Sequence, residues 1–149
     1  MGIVQHIYIA PARGAPMVAL AEVEAVADCG LRGDRYADVT NRKSPDYQLT
    51  LIEAENIEAF AQVSGLPLAP NEPRRNLVTV GVRLNDLCGK RFSVGGTQLE
   101  GLELCEPCAT FARTTHAQVV RFFVHRGGLR CKILHGGVIR VGDHVATVA

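Results

Sequence analysis

No run of apolar residues in this 149-residue sequence approaches the roughly 18 needed to span a bilayer. No N-terminal stretch combines a basic end, an apolar core and a cleavage site; Met1-Gly-Ile-Val-Gln-His reads directly into a strand. A membrane anchor and a secretory leader are therefore not expected. Charge of one sign is also missing: 16 basic against 15 acidic residues give a net charge of +1, which excludes bulk charge as a handle for nucleic acid or an anionic membrane. Lysine is scarce. Only Lys43, Lys90 and Lys132 occur, so 13 of the 16 basic residues are arginine, whose planar fork suits phosphate and carboxylate. Biased base composition produces the same excess. No repeat, low-complexity tract or interdomain linker is visible, and no phosphate-loop or dinucleotide-binding spacing occurs. Length and composition together predict one domain, residues 1–149, around a hydrophobic core.

The five cysteines (Cys29, Cys88, Cys105, Cys108, Cys131) are an odd number in a chain for which no leader is expected. That combination predicts a cytoplasmic protein whose thiols are reduced and serve as core fillers, ligands or reagents. Glycine and proline are frequent, and they cut the sequence into short segments.

Most of these segments alternate with period two. Strands are expected at Ile3–Ile9, Met17–Val26, Gln48–Ile52, Leu77–Val80, Leu129–Leu134, Val138–Val141 and His144–Val148, with the short stretch Leu84–Leu87 ending at Gly89. Phe92–Val94, Gly95-Gly96 and Thr97–Leu104 form a hairpin. Residues 36–47 carry no strong periodicity. Thr50 and Glu53 have capping-box spacing, and Ala54, Ile57, Phe60 and Ala61 continue at helical spacing, so a helix is expected near 53–64, stopped by Gly65 and Pro67. Thr115 and Gln118 repeat the capping spacing ahead of a second helix near 115–124. The fold class is mainly β (α+β), with a barrel-like core and about two helices.

Four clusters can carry chemistry. Cys105-Glu-Pro-Cys108 leaves the hairpin on a course fixed by Pro107. A helical turn starting near Cys108 would favour its thiolate. Three readings stand side by side: a dithiol redox pair, half of a metal site whose other ligands are not obvious, and a structural corner with one buried and one exposed thiol. Arg74-Arg75-Asn76 sits at the mouth of a strand, where adjacent side chains point to opposite faces. One arginine would then enter a given pocket, and Asn76 would orient it or hold the loop. In Gly30-Leu-Arg-Gly-Asp-Arg35, the arginines Arg32 and Arg35 can reach an anion while Asp34 braces Arg35. Arg126-Gly127-Gly128 and Leu134-His135-Gly-Gly137 read as barrel corners or a ligand cradle, with His135 a candidate ligand or acid–base group. His6 and His144 fall in strands, His116 in the first turn of the second helix, and His125 at that helix's end.

Taken in order, these pieces resemble the MOSC domain, named for the C-terminal part of molybdenum cofactor sulfurases. The resemblance rests on Gly30–Arg35, Gln48–Ile52 before a helix, Arg74–Val78, Leu84–Gly89, Leu102–Cys108, Arg126–Arg130 and Gly136–Asp143, and it covers nearly the whole chain. It implies a mostly β, barrel-like fold and a site for the molybdenum–pterin cofactor or its sulfur. The family's prominent cysteine maps to Cys108, proposed there to carry persulfide sulfur or to ligate molybdenum. Arg74, Arg75 and Asn76 would bind the cofactor's phosphate, with Arg32 and Arg35 as further candidates and the Gly127-Gly128 backbone approaching the ligand. Cys105 would be a resolving thiol. The resemblance further implies a sulfur-donor protein or a partner reductase. Two functions follow from it: cofactor sulfur transfer, or molybdenum-dependent reduction of N-hydroxylated compounds. Reductases of the family generally carry additional segments, so a binding module docked to a partner enzyme and a thiol redox or metal protein remain as alternatives. Pyridoxal phosphate belongs to a separate domain of the fused sulfurases, and no site for it is expected here.

Overall fold

The computed structural model describes residues 2–37 and 47–147. Segment 38–46, most of the stretch without periodicity, lies outside the described residues, as does Val148 at the end of the last expected strand.

Among the described residues, eleven strands and three short α-helices follow in the order β1 (Gly2–Ile9), β2 (Val18–Leu20), β3 (Glu22–Val26), β4 (Gly30–Leu31), β5 (Leu49–Glu53), α1 (Ala54–Ser64), β6 (Leu77–Val80), β7 (Arg91–Val94), β8 (Thr97–Leu104), α2 (Ala109–Thr114), α3 (Val119–Phe122), β9 (Leu129–His135), β10 (Gly137–Arg140) and β11 (His144–Thr147). The main sheet runs β11-β7-β8-β9-β5-β6-β1, and pairing of β11 with β1 closes these seven strands into a barrel, with β2 added on the outer edge of β1. Closure leaves no free edge among the seven. All of these pairs are antiparallel except β5–β6, which α1 connects. A second sheet, β10-β3-β4, lies beside the barrel.

The alternation seen in the sequence becomes an inside and an outside. Leu49, Leu51, Leu77, Leu99, Leu129, Cys131 and Ile133 point into the barrel with Val4, Ile7, Phe92 and Val94. The outer faces of β5 and β6 offer Ile52 and Val78 to a second cluster made with Ile57, Phe60, Phe111, Val119 and Phe123 of the helices. The hairpin stands as expected, Val94 opposite Thr97 across Gly95-Gly96.

The helical expectations shift. Helix α1 does end at Gly65, in the left-handed region at φ 74° with its N–H on the Ala61 carbonyl. Its N-cap is Glu53 rather than Thr50, and no side-chain cap bond forms, because the Thr50 hydroxyl is engaged with Asn76. Of the single helix expected over 115–124 only the one-turn α3 forms, and α2 lies wholly ahead of that range. The break falls at Thr115, where the hydroxyl and the N–H both donate to the Phe111 carbonyl. Hydroxyls that satisfy the last carbonyls of α2 take the place of further helical N–H groups. The expected strand Met17–Val26 likewise divides at Ala21 into β2 and β3, which pair with different sheets. Leu84–Leu87 is a turn of 3-10 helix.

Candidate functional site

Four segments meet at one end of the barrel, and Asn76 ties three of them together. Its side-chain oxygen accepts hydrogen bonds from the Thr50 N–H (3.0 Å) and the Thr50 hydroxyl (3.2 Å), and its amide donates to the Tyr8 carbonyl (3.0 Å). Its own N–H donates to the Thr50 hydroxyl, and its carbonyl accepts the Tyr8 N–H. Both ends of the amide are therefore used inside the protein, and only 7% of the residue is exposed. Of the two roles the sequence left open, Asn76 holds the loop. It fixes the start of β6 against β1 and β5 while forming part of the lining of a cleft.

The residues just before Asn76 are not yet strand. Arg74 sits at φ 59°, left-handed backbone that costs a residue with a side chain about 1 kcal/mol. The kink breaks the alternation expected for two neighbours in a strand, and both Arg74 and Arg75 line the same cleft, of about 280 Å3. Each is steadied by one backbone carbonyl: Arg74 Nη2 donates to Ala15 (2.8 Å) and Arg75 Nε to Gly127 (2.9 Å). Their remaining N–H groups carry the fork that recognises anions. The backbone cost makes a clear prediction. Arg74→Gly, which removes the strain with the guanidinium, is expected to be more stable than Arg74→Ala by about 1 kcal/mol in urea unfolding, although both lose the contact with Ala15.

Two further arginines complete the lining. Arg35 lies over the Tyr36 ring, 4.2 Å from its centre, and donates to the Tyr36 hydroxyl. Arg130, on β9, stands 5.7 Å from the Tyr47 ring centre and 3.8 Å from the Glu103 carboxylate. Tyr36 and Tyr47 stack on each other at 5.3 Å. Tyr36, Tyr47 and Arg130 were not singled out in the sequence, where nothing local distinguishes them from surface residues.

Cys108 opens onto this cleft as the N-cap residue of α2. The chain after Pro107 is extended at Cys108 (φ −129°) and turns helical at Ala109, so Cys108 sits beside the first N–H groups of α2 without a side-chain cap bond. The neighbouring Phe111 N–H is the main cause that lowers the Cys108 thiol below its ordinary value, although no side-chain cap bond forms; partial burial opposes it, and the Thr110 N–H, the Arg75 charge and the Thr110 hydroxyl add to the lowering. The thiolate form is thus favoured on an exposed side chain. Cys105 is its opposite. It is fully buried, and burial pushes its thiol up. Two thiols this unequal do not behave as an interchangeable pair. Alkylation with iodoacetamide checks the contrast: Cys108 is expected to react with a midpoint below that of an ordinary thiol, whereas Cys105 and the buried Cys131 react only after unfolding.

Other candidates lie elsewhere. Arg32 is outside the cleft, in an exposed ion pair with Glu24 (2.7 Å) that lowers the Glu24 carboxyl through that hydrogen bond. Asp34 does not act chiefly on Arg35. Its carboxylate accepts the Ala10 N–H (2.9 Å) and thereby ties the Gly30–Arg35 loop to the end of β1. Burial raises its pKa despite that bond. Gly127 and Gly128 cradle the protein's own backbone: a Cβ on Gly127 would stand 2.2 Å from the Cys105 carbonyl oxygen, and one on Gly128 2.0 Å from that of Leu51. His135 is exposed at the end of β9, away from the cleft. His116 stacks on Phe60, with a ring nitrogen 2.8 Å from the Pro67 carbonyl, and the His125 N–H donates to Glu106 (3.1 Å).

The described residues include no group of three or more His, Cys, Asp or Glu side chains able to hold a metal ion, and no helix long and apolar enough to cross a membrane. A metal at this cleft would meet one protein sulfur, Cys108, and would bring its remaining ligands on a cofactor. The soft thiolate and the surrounding guanidiniums fit a metal-bearing group with an anionic tail.

A closed seven-stranded barrel with an exposed cysteine beside an arginine-lined cleft defines the class of barrel protein to which this chain belongs. Comparison with known families gives the class its place: the MOSC domain profile matches residues 38–146, and the chain belongs to that family. The fold agrees with solved structures at low identity. The YuaD protein of Bacillus subtilis superposes with a TM-score of 0.83 at 17% identity, over 97% of this chain and 94% of that one. YiiM of Geobacillus stearothermophilus gives 0.78 at 14% identity, over 100% and 76%. YiiM of Escherichia coli gives 0.72 at 19%, over 100% and 70%. No curated protein matches the chain in a sequence search.

Proposed function

We infer that this MOSC protein holds the molybdenum–pterin cofactor, or sulfur destined for it, at the cleft that Cys108 opens onto. The observation that carries this reading is the convergence on one cleft of a thiolate-stabilised, exposed cysteine and the guanidiniums of Arg35, Arg74, Arg75 and Arg130. Arg74 and Arg75 would hold the cofactor's anionic tail, since each is oriented by a single backbone carbonyl and keeps donors to spare. Cys108 would present its sulfur to molybdenum or carry a sulfane sulfur. When bound, the cofactor supplies a redox-active metal with sulfur ligands of its own. Sulfur transfer and reduction of N-hydroxylated compounds both use this arrangement. The first calls for a sulfur donor, the second for a reductase partner to deliver electrons.

The test is expression in a host that makes the cofactor, followed by measurement of molybdenum, pterin and cyanide-labile sulfur on the wild type and on Cys108→Ser. The wild type should retain them and the variant should lose most. Equal retention by both proteins would remove Cys108 from the reading, and no retention by the wild type would remove the cofactor.

A further inference from the structure

We propose that Cys108 takes its sulfur from a small dianionic sulfane donor of the thiosulfate class, bound in the cleft by Arg74, Arg75, Arg35 and Arg130. The proposal rests on the reading of Cys108 as a sulfur carrier and names the kind of molecule that loads it.

A thiolate and a dianion repel each other, so their reaction needs fixed positive charge at the point of meeting. The cleft supplies it. Among the described residues its lining carries the guanidiniums of Arg35, Arg74, Arg75 and Arg130, the last also paired with Glu103 (3.8 Å), and the carboxyls of Asp34, which accepts the Ala10 N–H, and Glu72, which accepts the Ala69 N–H at 2.7 Å. Arg75 lines the cleft together with Cys108, and the Phe111 N–H foremost, with the Thr110 N–H and the Arg75 charge, lowers the Cys108 thiol from its ordinary value. At about 280 Å3 the cleft readily admits a molecule of this size.

The chemistry balances without an added oxidant or reductant. The Cys108 thiolate attacks the outer sulfur of thiosulfate and forms a new S–S bond. The bond between that sulfur and the sulfonate sulfur breaks, and sulfite departs with the electron pair as a dianion. A persulfide anion remains on Cys108. Three negative charges enter and three remain, and the leaving sulfite takes over the arginine contacts of the donor.

The structure also explains why the product would last. A second thiol three residues away ordinarily attacks a persulfide, giving a disulfide and releasing sulfide. Cys105 is fully buried, and burial pushes its thiol up, so it stays protonated and out of reach of attack. The spacing of a redox pair is present, and its resolving step is disabled.

The experiment uses the reduced protein, desalted and incubated with thiosulfate. Intact mass and peptide mapping are expected to show one added sulfur atom on Cys108, with an equivalent of sulfite released. Cys108→Ser should gain none, and Cys105→Ala should leave the lifetime of the persulfide within about twofold. Arg75→Gln should slow loading by thiosulfate about tenfold more than it slows alkylation by the neutral reagent iodoacetamide, because only the former loses charge complementarity. The proposal is overturned if thiosulfate adds no sulfur, if the sulfur maps to another cysteine, or if Arg75→Gln slows both reactions equally. Retention of molybdenum and pterin is measured independently. A chain that retains them through Cys108 but takes no sulfur from thiosulfate overturns this proposal alone; one that loads sulfur and retains neither overturns only the cofactor.

Discussion

Asn76→Ala is expected to lose about 3 kcal/mol of stability, read as a shift of the urea unfolding midpoint. The substitution removes the acceptor for the Thr50 N–H and hydroxyl and the donor to the Tyr8 carbonyl. These groups lie where β1, β5 and β6 meet, so water does not replace the lost partner cheaply. Asn76→Asp separates the two halves of the role. It keeps the acceptor and places a buried carboxylate against the Tyr8 carbonyl, which raises the introduced group's pKa in the folded state. The sign follows: the variant should be weakest near neutral pH and recover as pH falls, because the protonated carboxyl can donate to Tyr8 while the unfolded chain gains less from that proton. A loss under about 1 kcal/mol for Asn76→Ala, or no recovery of Asn76→Asp in acid, would show that the amide is not the brace described here.

Gly128→Ala is expected to be more damaging still, with a loss of about 4 kcal/mol or failure to accumulate as folded protein. Two costs coincide. The backbone lies at φ 109°, and the new methyl would stand 2.0 Å from the Leu51 carbonyl oxygen and 3.0 Å from its carbon. Those atoms belong to β5 in the barrel wall and have no flexible end to move aside. Gly96→Ala provides the control, since nothing lies within 4 Å of its Cβ position and its φ is not in the left-handed region; its stability should stay within about 0.5 kcal/mol of wild type. The corner is also coupled to the cleft. The Gly127 carbonyl accepts Arg75 Nε, and the Gly128 carbonyl accepts the Cys105 N–H. A milder substitution there should disturb anion binding before it unfolds the chain.

These two positions illustrate how far the sequence could be read. Asn76 was recognisable as a residue that orients an arginine or holds a loop, but its partners Thr50 and Tyr8 are 26 and 68 residues away. The capping spacing of Thr50 and Glu53 pointed to a local bond that the distant Asn76 displaced. The paired glycines were legible as tight corners. What they approach was not, because the Leu51 carbonyl reaches Gly128 only through the pairing of β5 with β9. Arg74 and Arg75 were assigned opposite faces on the strand rule, and the positive φ of Arg74 annuls it. The second expected helix failed for a related reason: threonines at 114 and 115 have alternative hydrogen bonds to the preceding turn, and spacing alone does not say which they take.

By itself the sequence determined the β strands of the barrel, the hairpin through Gly95-Gly96, the first helix and the ordered motifs that mark the family. Those features are written in alternation, turn chemistry and the order of short motifs, and each strand, turn, helix or single motif is local in the chain. Tertiary structure decided what the motifs do. It gathered Arg35, Arg74, Arg75 and Arg130 around one cleft, sent Arg32 to Glu24, and made Cys105 and Cys108 unequal. Burial, the electrostatic setting of a thiol and the convergence of charges depend on which strands close against which. Barrel closure brings together residues from both ends of the chain, and no local pattern carries that information.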